Sequence, residues 1–329
     1  MRAARLVRFA IAVPACAALI AGCAGPSSLA PIDPSSTQAA RVAHRSGGSW
    51  MAPGTADSDL LYVSDAKGVV DVFTFPAGAP VGELTGFQSP AGLCSDSSGN
   101  VFVVNTNGSD VLEYAHGGTK AVRTIFDGGE YPYGCAVDPK TENLAVANYI
   151  TTKVGAGSVS IFIGAKGGGR TYQDPNFSTY YFCSYDDDGN LFVDGADANS
   201  VHTLFAELPK GKSKFTDITL DQTIGFPGAV QWDGQYVDVG DTFGHDLYRF
   251  KIAGAKGTSA GRLGFGGDRS MLVGQFWIEG STIVSPYGTF SRGMHKVGLW
   301  AYPKGGSPSA SIDVRNSAEL VGATVSVAK

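Results

Sequence analysis

Ser89-Pro90-Ala91-Gly92-Leu93-Cys94-Ser95-Asp96-Ser97-Ser98-Gly99-Asn100, followed at once by Val101-Phe102-Val103-Val104, decides the fold. Pro90 and Gly92 bring the chain sharply into a short apolar strand. Asp96 and the Gly99-Asn100 pair then turn it back as a hairpin into a second strand rich in β-branched and aromatic residues. The pattern recurs. Tyr131-Pro132-Tyr133-Gly134-Cys135-Ala136-Val137-Asp138 ends in Glu142-Asn143, and Tyr180-Tyr181-Phe182-Cys183-Ser184-Tyr185-Asp186 ends in Gly189-Asn190. Phe226-Pro227-Gly228-Ala229-Val230 is a fourth copy.

The second strands recur with it, at Leu60–Val63, Val101–Val104, Leu144–Val146, Leu191–Val193, Tyr236–Val239 and Thr282–Val284. Each leads through a polar loop to a third strand closed by a Gly-bearing turn, such as Phe75-Pro76-Ala77-Gly78 or Tyr302-Pro303-Lys304-Gly305. The spacing of roughly 40–50 residues is that of four-stranded propeller blades. An all-β, six-bladed β-propeller over residues 55–329 is therefore expected. The first unit lacks an inner strand before Leu60, while the chain ends in Leu320-Val321-Gly322-Ala323-Thr324-Val325-Ser326-Val327. That tail is expected to close the ring by pairing into the first blade, which removes two exposed edges.

Outward from the repeats, the N-terminus reads as a targeting segment. Arg2, Arg5 and Arg8 precede an apolar run from Phe9 to Ile20, too short for the ~20 residues of a membrane span. Its end, Leu19-Ile20-Ala21-Gly22-Cys23, resembles the lipobox of bacterial lipoproteins. The resemblance implies a leader at 1–22 and lipidation of Cys23. Ala24 in place of Asp favours outer-membrane delivery in a two-membrane cell, on its periplasmic or surface side. Residues 23–54, rich in Pro, Ser and Ala, read as a flexible tether.

The net charge of −5 understates the acidity of the folded part, because Arg2, Arg5, Arg8, Arg41 and Arg45 all precede the repeats. With no basic stripe, nucleic acid is not expected as a partner. The expected partners are the membrane, through the lipid, and a small molecule, glycan or protein on the loop face of a monomer.

The Pro-x-Gly-hydrophobic-x-hydrophobic-Asp…Gly-Asn pattern resembles the NHL-repeat and gluconolactonase-like propellers. That resemblance implies an axial divalent cation held by Asn or Asp within the Pro-x-Gly motif. The matching positions here are Ala91, Tyr133, Tyr181, Gly228 and, at the closing strand, Val321, none of which carries a carboxylate or amide. Neither metal nor cofactor is expected on this ground.

Candidate binding residues come from the loops that enter the inner strands and leave the second strands. Tyr131, Tyr133, Tyr180, Tyr181, Phe87 and Phe226 lie in the first set. Asn105, Asn148, Tyr149, Asp194, Asp197, Asp241, Phe243 and Tyr287 lie in the second. Aromatics ringed by amides and carboxylates suit a sugar-like or cationic ligand. For any one Asn or Asp, capping a turn is the plainer role. A hydrolase or lyase using His245, His295 and Asp241 is the alternative to a binding module. His116 and His202 read as packing or surface residues of outer strand positions. Gly257-Thr258-Ser259-Ala260-Gly261 matches a serine-hydrolase elbow but is expected in a turn rather than the strand–turn–helix it needs.

Cys94, Cys135 and Cys183 lie in successive inner strands. Aligned on the Pro-x-Gly motif, Cys135 and Cys183 share a phase while Cys94 is one residue later. Successive strand residues point to opposite faces, so only Cys94 and Cys135 can meet between adjacent blades. Cys183 is then a buried free thiol. Three small apolar core residues without any bond are the other possibility.

Overall fold

The computed structural model describes residues 48–128, 130–151, 155–199, 203–266 and 271–329. The expected leader, Cys23, most of the tether and His202 lie outside the described residues. No helix among the described residues is long and apolar enough to cross a membrane.

Six sheets, antiparallel but for one short strand, form a β-propeller. Blade 2 sets the pattern, with Pro90–Ser95 innermost, then Val101–Asn105, Asp110–Tyr114 and Ala121–Phe126 at the rim. Blade 3 follows with Glu130–Val137, Leu144–Thr151, Ser158–Phe162 and Arg170–Tyr172. Blade 4 comprises Thr179–Tyr185, Leu191–Ala196, Thr203–Leu208 and Thr216–Asp217. In blade 5, Pro227–Trp232, Val237–Asp241, Asp246–Ala253 and Lys256–Gly264 are flanked by a parallel strand, Thr219–Leu220. Blade 1 takes its inner strand, Leu320–Ser326, from the far end of the chain; it pairs with Leu60–Asp65, so the ring closes as expected.

Three details depart from the sequence reading. Trp50–Met51, assigned to the tether, pairs with Pro80–Thr85 as a fifth strand of blade 1, and Ser49 Oγ accepts from the Thr85 N–H. The propeller therefore starts before residue 55. Blade 6 has a split inner strand, Met271–Val273 and Trp277–Glu279, both on Thr282–Thr289. At the break, Gln275 reaches past the closing strand to blade 2, accepting from Leu93 N–H (2.8 Å) and donating to Leu93 O (2.7 Å). The Gly257–Gly261 segment lies inside the outer strand of blade 5 rather than in a turn, and has no helix to make an elbow.

The repeated motif now has a physical reading. Asp96 Oδ1 accepts from the N–H groups of Ser98 and Asn100, and Gly99 sits at φ +85° where an L side chain is strained. Asp186 and Gly189 repeat this arrangement. The Pro-x-Gly glycine serves close approach instead. A Cβ on Gly92 would fall 2.6 Å from Tyr133 O, and one on Gly134 2.5 Å from Tyr181 O, because inner strands converge at the axis.

The core is six apolar clusters, each filling one interface between neighbouring blades. Strand alternation makes this possible: Leu60 and Tyr62 face blade 2, while Leu61 and Val63 face blade 6. Between blades 2 and 3, Cys94 and Cys135 are joined by a disulfide with Cα atoms 5.7 Å apart, and Cys183 is a buried free thiol. Burial in apolar surroundings pushes the Cys183 thiol far up, leaving it inert.

Candidate functional site

Chain direction gathers the starts of the inner strands and the ends of the second strands on one face. There the described aromatic rings form a continuous run across blades 3 to 6. Tyr149, Tyr133 and Tyr181 make a triangle with centroids 5.3–6.3 Å apart. Tyr181 leads to Phe226 at 5.4 Å, Phe226 stacks on Phe243 at 4.6 Å, and Phe243 meets Phe290 at 5.4 Å. Phe182, buried between blades 4 and 5, braces the run from below against Tyr133 at 5.4 Å.

The run is embedded at one end and open at the other. Burial, together with neighbouring Tyr149, Asp194 and Glu319, pushes the Tyr133 phenol up to about 12. Tyr181 is raised too, first by burial. Both are neutral hydroxyls at pH 7, able to donate as well as accept. Phe243 and Phe290, by contrast, are 47% and 56% exposed. Large aromatics left this open are the informative kind of surface residue.

Several expected face residues serve other ends. Tyr180, one residue before Tyr181, points to the opposite face of its strand; it is fully buried, stacks on Phe177 at 4.8 Å and accepts from Asp174 N–H. Phe87 packs on Tyr114 in the core between blades 1 and 2. Tyr287 leans on Trp300 and bonds Ser311 Oγ, away from the run. Tyr131 is half-buried opposite Ile150 in the ladder.

The amides and carboxylates are caps. Asn105 accepts from Gln88 N–H and donates to Asp110. Asp241 accepts from the N–H groups of Gly225, Phe226, Phe243 and Gly244, which fixes the stacked pair Phe226 and Phe243 that leads into the exposed end. Asp194 accepts from Phe182 N–H beneath the run, and burial raises its pKa well above the usual carboxylate range. Asn148 is buried and donates to Ser158 Oγ and Ser160 Oγ.

His295 and His116 make their bonds away from the aromatic run. His295 Nδ1 bonds Ser317 Oγ at 2.9 Å, and His245 occupies a left-handed turn at φ +59°. His116 spans from blade 2 to the closing region, with Nδ1 2.6 Å from Ser326 Oγ and Nε2 3.1 Å from Ser58 O.

Phe290 escaped the sequence reading, although it follows the second strand of blade 6 as Phe243 follows that of blade 5. Glu319 escaped it too. It accepts from Met294 N–H just before the closing strand. On the opposite face a cavity of about 270 Å³ is lined by Asp96, Asp138, Glu142, Trp277, Glu279 and Lys329, among others.

No family model matches the sequence, and no curated protein matches it. Solved structures do. A chain from the crystal structure of a nidogen/laminin complex superposes with a TM-score of 0.65 at 13% identity, covering 83% of this chain and all of that one. A protein of unknown function from Bacteroides caccae gives 0.62 at 10% identity, with the same coverage. At such identities the likeness shows the fold alone.

Proposed function

We propose that this propeller is an exported, lipid-anchored binding module that holds its partner on the aromatic run of the loop face. The observation that carries the reading is the unbroken contact from Tyr149 to Phe290, ending in two exposed phenylalanines of which Phe243 is held by the Asp241 cap. Flat apolar faces beside neutral phenols suit a glycan ring or the aromatic and aliphatic side chains of a protein. A propeller of similar fold is crystallised within a nidogen/laminin complex, which favours a protein partner. Export is supported by the Cys94–Cys135 bond, since disulfides persist in oxidising compartments.

The hydrolase alternative gains no support from the geometry. Both oxygens of Asp241 are taken up by backbone N–H groups, and His295 is bonded to Ser317.

The test uses the soluble domain from Ser49 onward on a glycan array and against an immobilised extracellular protein fraction. Phe243→Ser with Phe290→Ser should abolish the binding seen with the parent while leaving the melting temperature within about 2 °C, since exposed substitutions shift stability by roughly 0.5 kcal/mol or less. Retained binding by the double variant would sink the assignment to this face.

A further inference from the structure

The six blades differ in how their outer edges are closed. In blade 1 the edge is taken by Trp50–Met51, and in blade 5 it is taken in part by Thr219–Leu220. Blades 3, 4 and 6 end in rim strands of three, two and four residues, Arg170–Tyr172, Thr216–Asp217 and Ala310–Asp313. Short or covered edges resist pairing with other chains. Blade 2 has neither protection. Its rim strand, Ala121–Phe126, runs six residues without proline, and no described strand pairs with its outer side.

What that edge offers follows from the ladder inside it. Asp127 N–H bonds Ser109 O, and Phe126 stands opposite Asp110. Phe126 therefore turns its own N–H and C=O outward, and alternation does the same for Thr124. The side chains divide likewise. Ile125 is buried between blades 2 and 3, and Arg123 reaches blade 3 at Ala165 O (2.8 Å) while pairing with Glu113 (2.8 Å). Val122, Thr124 and Phe126 lie on the other face, with Val122 59% and Phe126 65% exposed. The inner register slips by one residue between Glu113 and Tyr114, so Val122 ends the regular edge.

An open edge with outward N–H and C=O groups accepts a strand, and this one is self-complementary. Laid antiparallel on a second copy with the two-fold axis at Thr124, it sets Thr124 against Thr124 and Val122 against Phe126 on each side. Threonine pairs and aromatic–β-branched pairs are among the favoured cross-strand neighbours. The strand's one charge does not oppose its twin, because Arg123 is paired with Glu113 on the far face. We infer that two copies of this chain join edge to edge through Ala121–Phe126, making one continuous sheet of their second blades. One pair of strands buries less than the ~800 Å² per partner of a standard interface, so the dimer is weak and the chain is monomeric when dilute. This surface shares no residue with the aromatic run and stands independently of the partner proposed there.

The test is sedimentation equilibrium of the soluble domain from Ser49 onward, between about 10 μM and about 1 mM. A monomer–dimer equilibrium with a dissociation constant on the order of 0.1 mM is expected. Phe126→Lys should raise that constant about tenfold, through two lost cross-strand pairs, and leave the melting temperature unchanged. Phe243→Ser with Phe290→Ser should dimerise as the parent does. Cross-linking reads the register. Facing Thr124 residues place their Cα atoms about 5.5 Å apart, within disulfide range, so Thr124→Cys should form a covalent dimer under mild oxidant. Val122→Cys should not, since the two Val122 positions stand about 13 Å apart along the paired strands. A parent that stays monomeric at the highest concentration would overturn the inference. So would dimerisation that Phe126→Lys leaves intact, or Val122→Cys cross-linking as readily as Thr124→Cys.

Discussion

Removing the chain after Glu319 should unfold the whole propeller, not only blade 1. The closing strand buries Leu320, Ala323 and Val325 at 0–1% exposure, and its loss would also uncover Leu61 and Val63 of the next strand. At 1.5–3 kcal/mol for a fully buried Val or Leu, the four large side chains amount to about 6–12 kcal/mol as an upper estimate. Ladder bonds to Leu60–Asp65 and the Ser95 Oγ bond to Val325 O go with them. A domain of this kind has about 5–15 kcal/mol in total. At about 2–4 °C per kcal/mol, the truncated protein should melt on the order of 12 °C lower, or show no cooperative transition. Far-UV circular dichroism followed with temperature reads this directly. A synthetic peptide of residues 320–329 should restore stability in proportion to its concentration, because it binds only the folded ring. A truncated protein melting within about 2 °C of the parent would refute this closure.

Cys94→Ser should cost about 4 kcal/mol in oxidising buffer, the chain-entropy value for a sequence separation of 41, and the difference should vanish when both proteins are melted in reductant. Asp238→Asn tests the buried cluster in which Tyr302 Oη lies within hydrogen-bond distance of both Asp233 (2.6 Å) and Asp238 (2.7 Å). Burial raises Asp238 to about 8, so between its ordinary 3.8 and 8 the folded state holds a proton the unfolded state has lost, and its contribution to stability falls as pH rises through that window. The variant should therefore lose less stability than the parent between pH 5 and 8; equal losses in the two melting series would contradict this. Cys23→Ser should release the protein from the membrane fraction with its melting temperature unchanged, since acyl chains supply about 0.8 kcal/mol per buried CH₂; retention after a high-salt wash would count against the lipobox reading.

The architecture was legible because its constraints repeat. Asp96, Asp138 and Asp186 each end an inner strand for the same reason, so the sequence shows the hairpin several times over. The cysteine geometry was legible because a one-residue offset reverses the face of a strand. The inner strand of blade 6 was not, since Gly274-Gln275 interrupts it and Gln275 bonds across to Leu93 instead of continuing the ladder. Site residues were harder still. Tyr180 and Tyr181 are indistinguishable by type, and only the pleat sends one into the core and the other to the run. Asp127 and Asn148 lie 21 positions apart, and nothing in local sequence announces that they share a cluster.

The contrast between the two faces argues for where binding belongs. On the hairpin face, the carboxylates recur at equivalent positions, and each is already occupied by its own turn. Asp96 holds Ser98 and Asn100, Asp138 holds Lys140 and Thr141, and Asp186 holds Asp188 and Asn190. Repetition of this kind is scaffold chemistry, and two of those same carboxylates line the cavity found there. On the loop face the caps repeat as well: Asp65, Asn105 and Asp241 each end a second strand and accept from the N–H two residues before the inner strand, at Ala318, Gln88 and Gly225. The aromatic run does not follow that pattern, since its rings cross blades 3 to 6 alone. A fold built from near-identical units gains no stability from breaking its own pattern on one side while exposing two phenylalanines. The aromatic run is therefore the part of this face that the repeated scaffold does not account for, and the Asp241 cap that orders Phe226 and Phe243 gives it the rigidity the proposed binding surface needs.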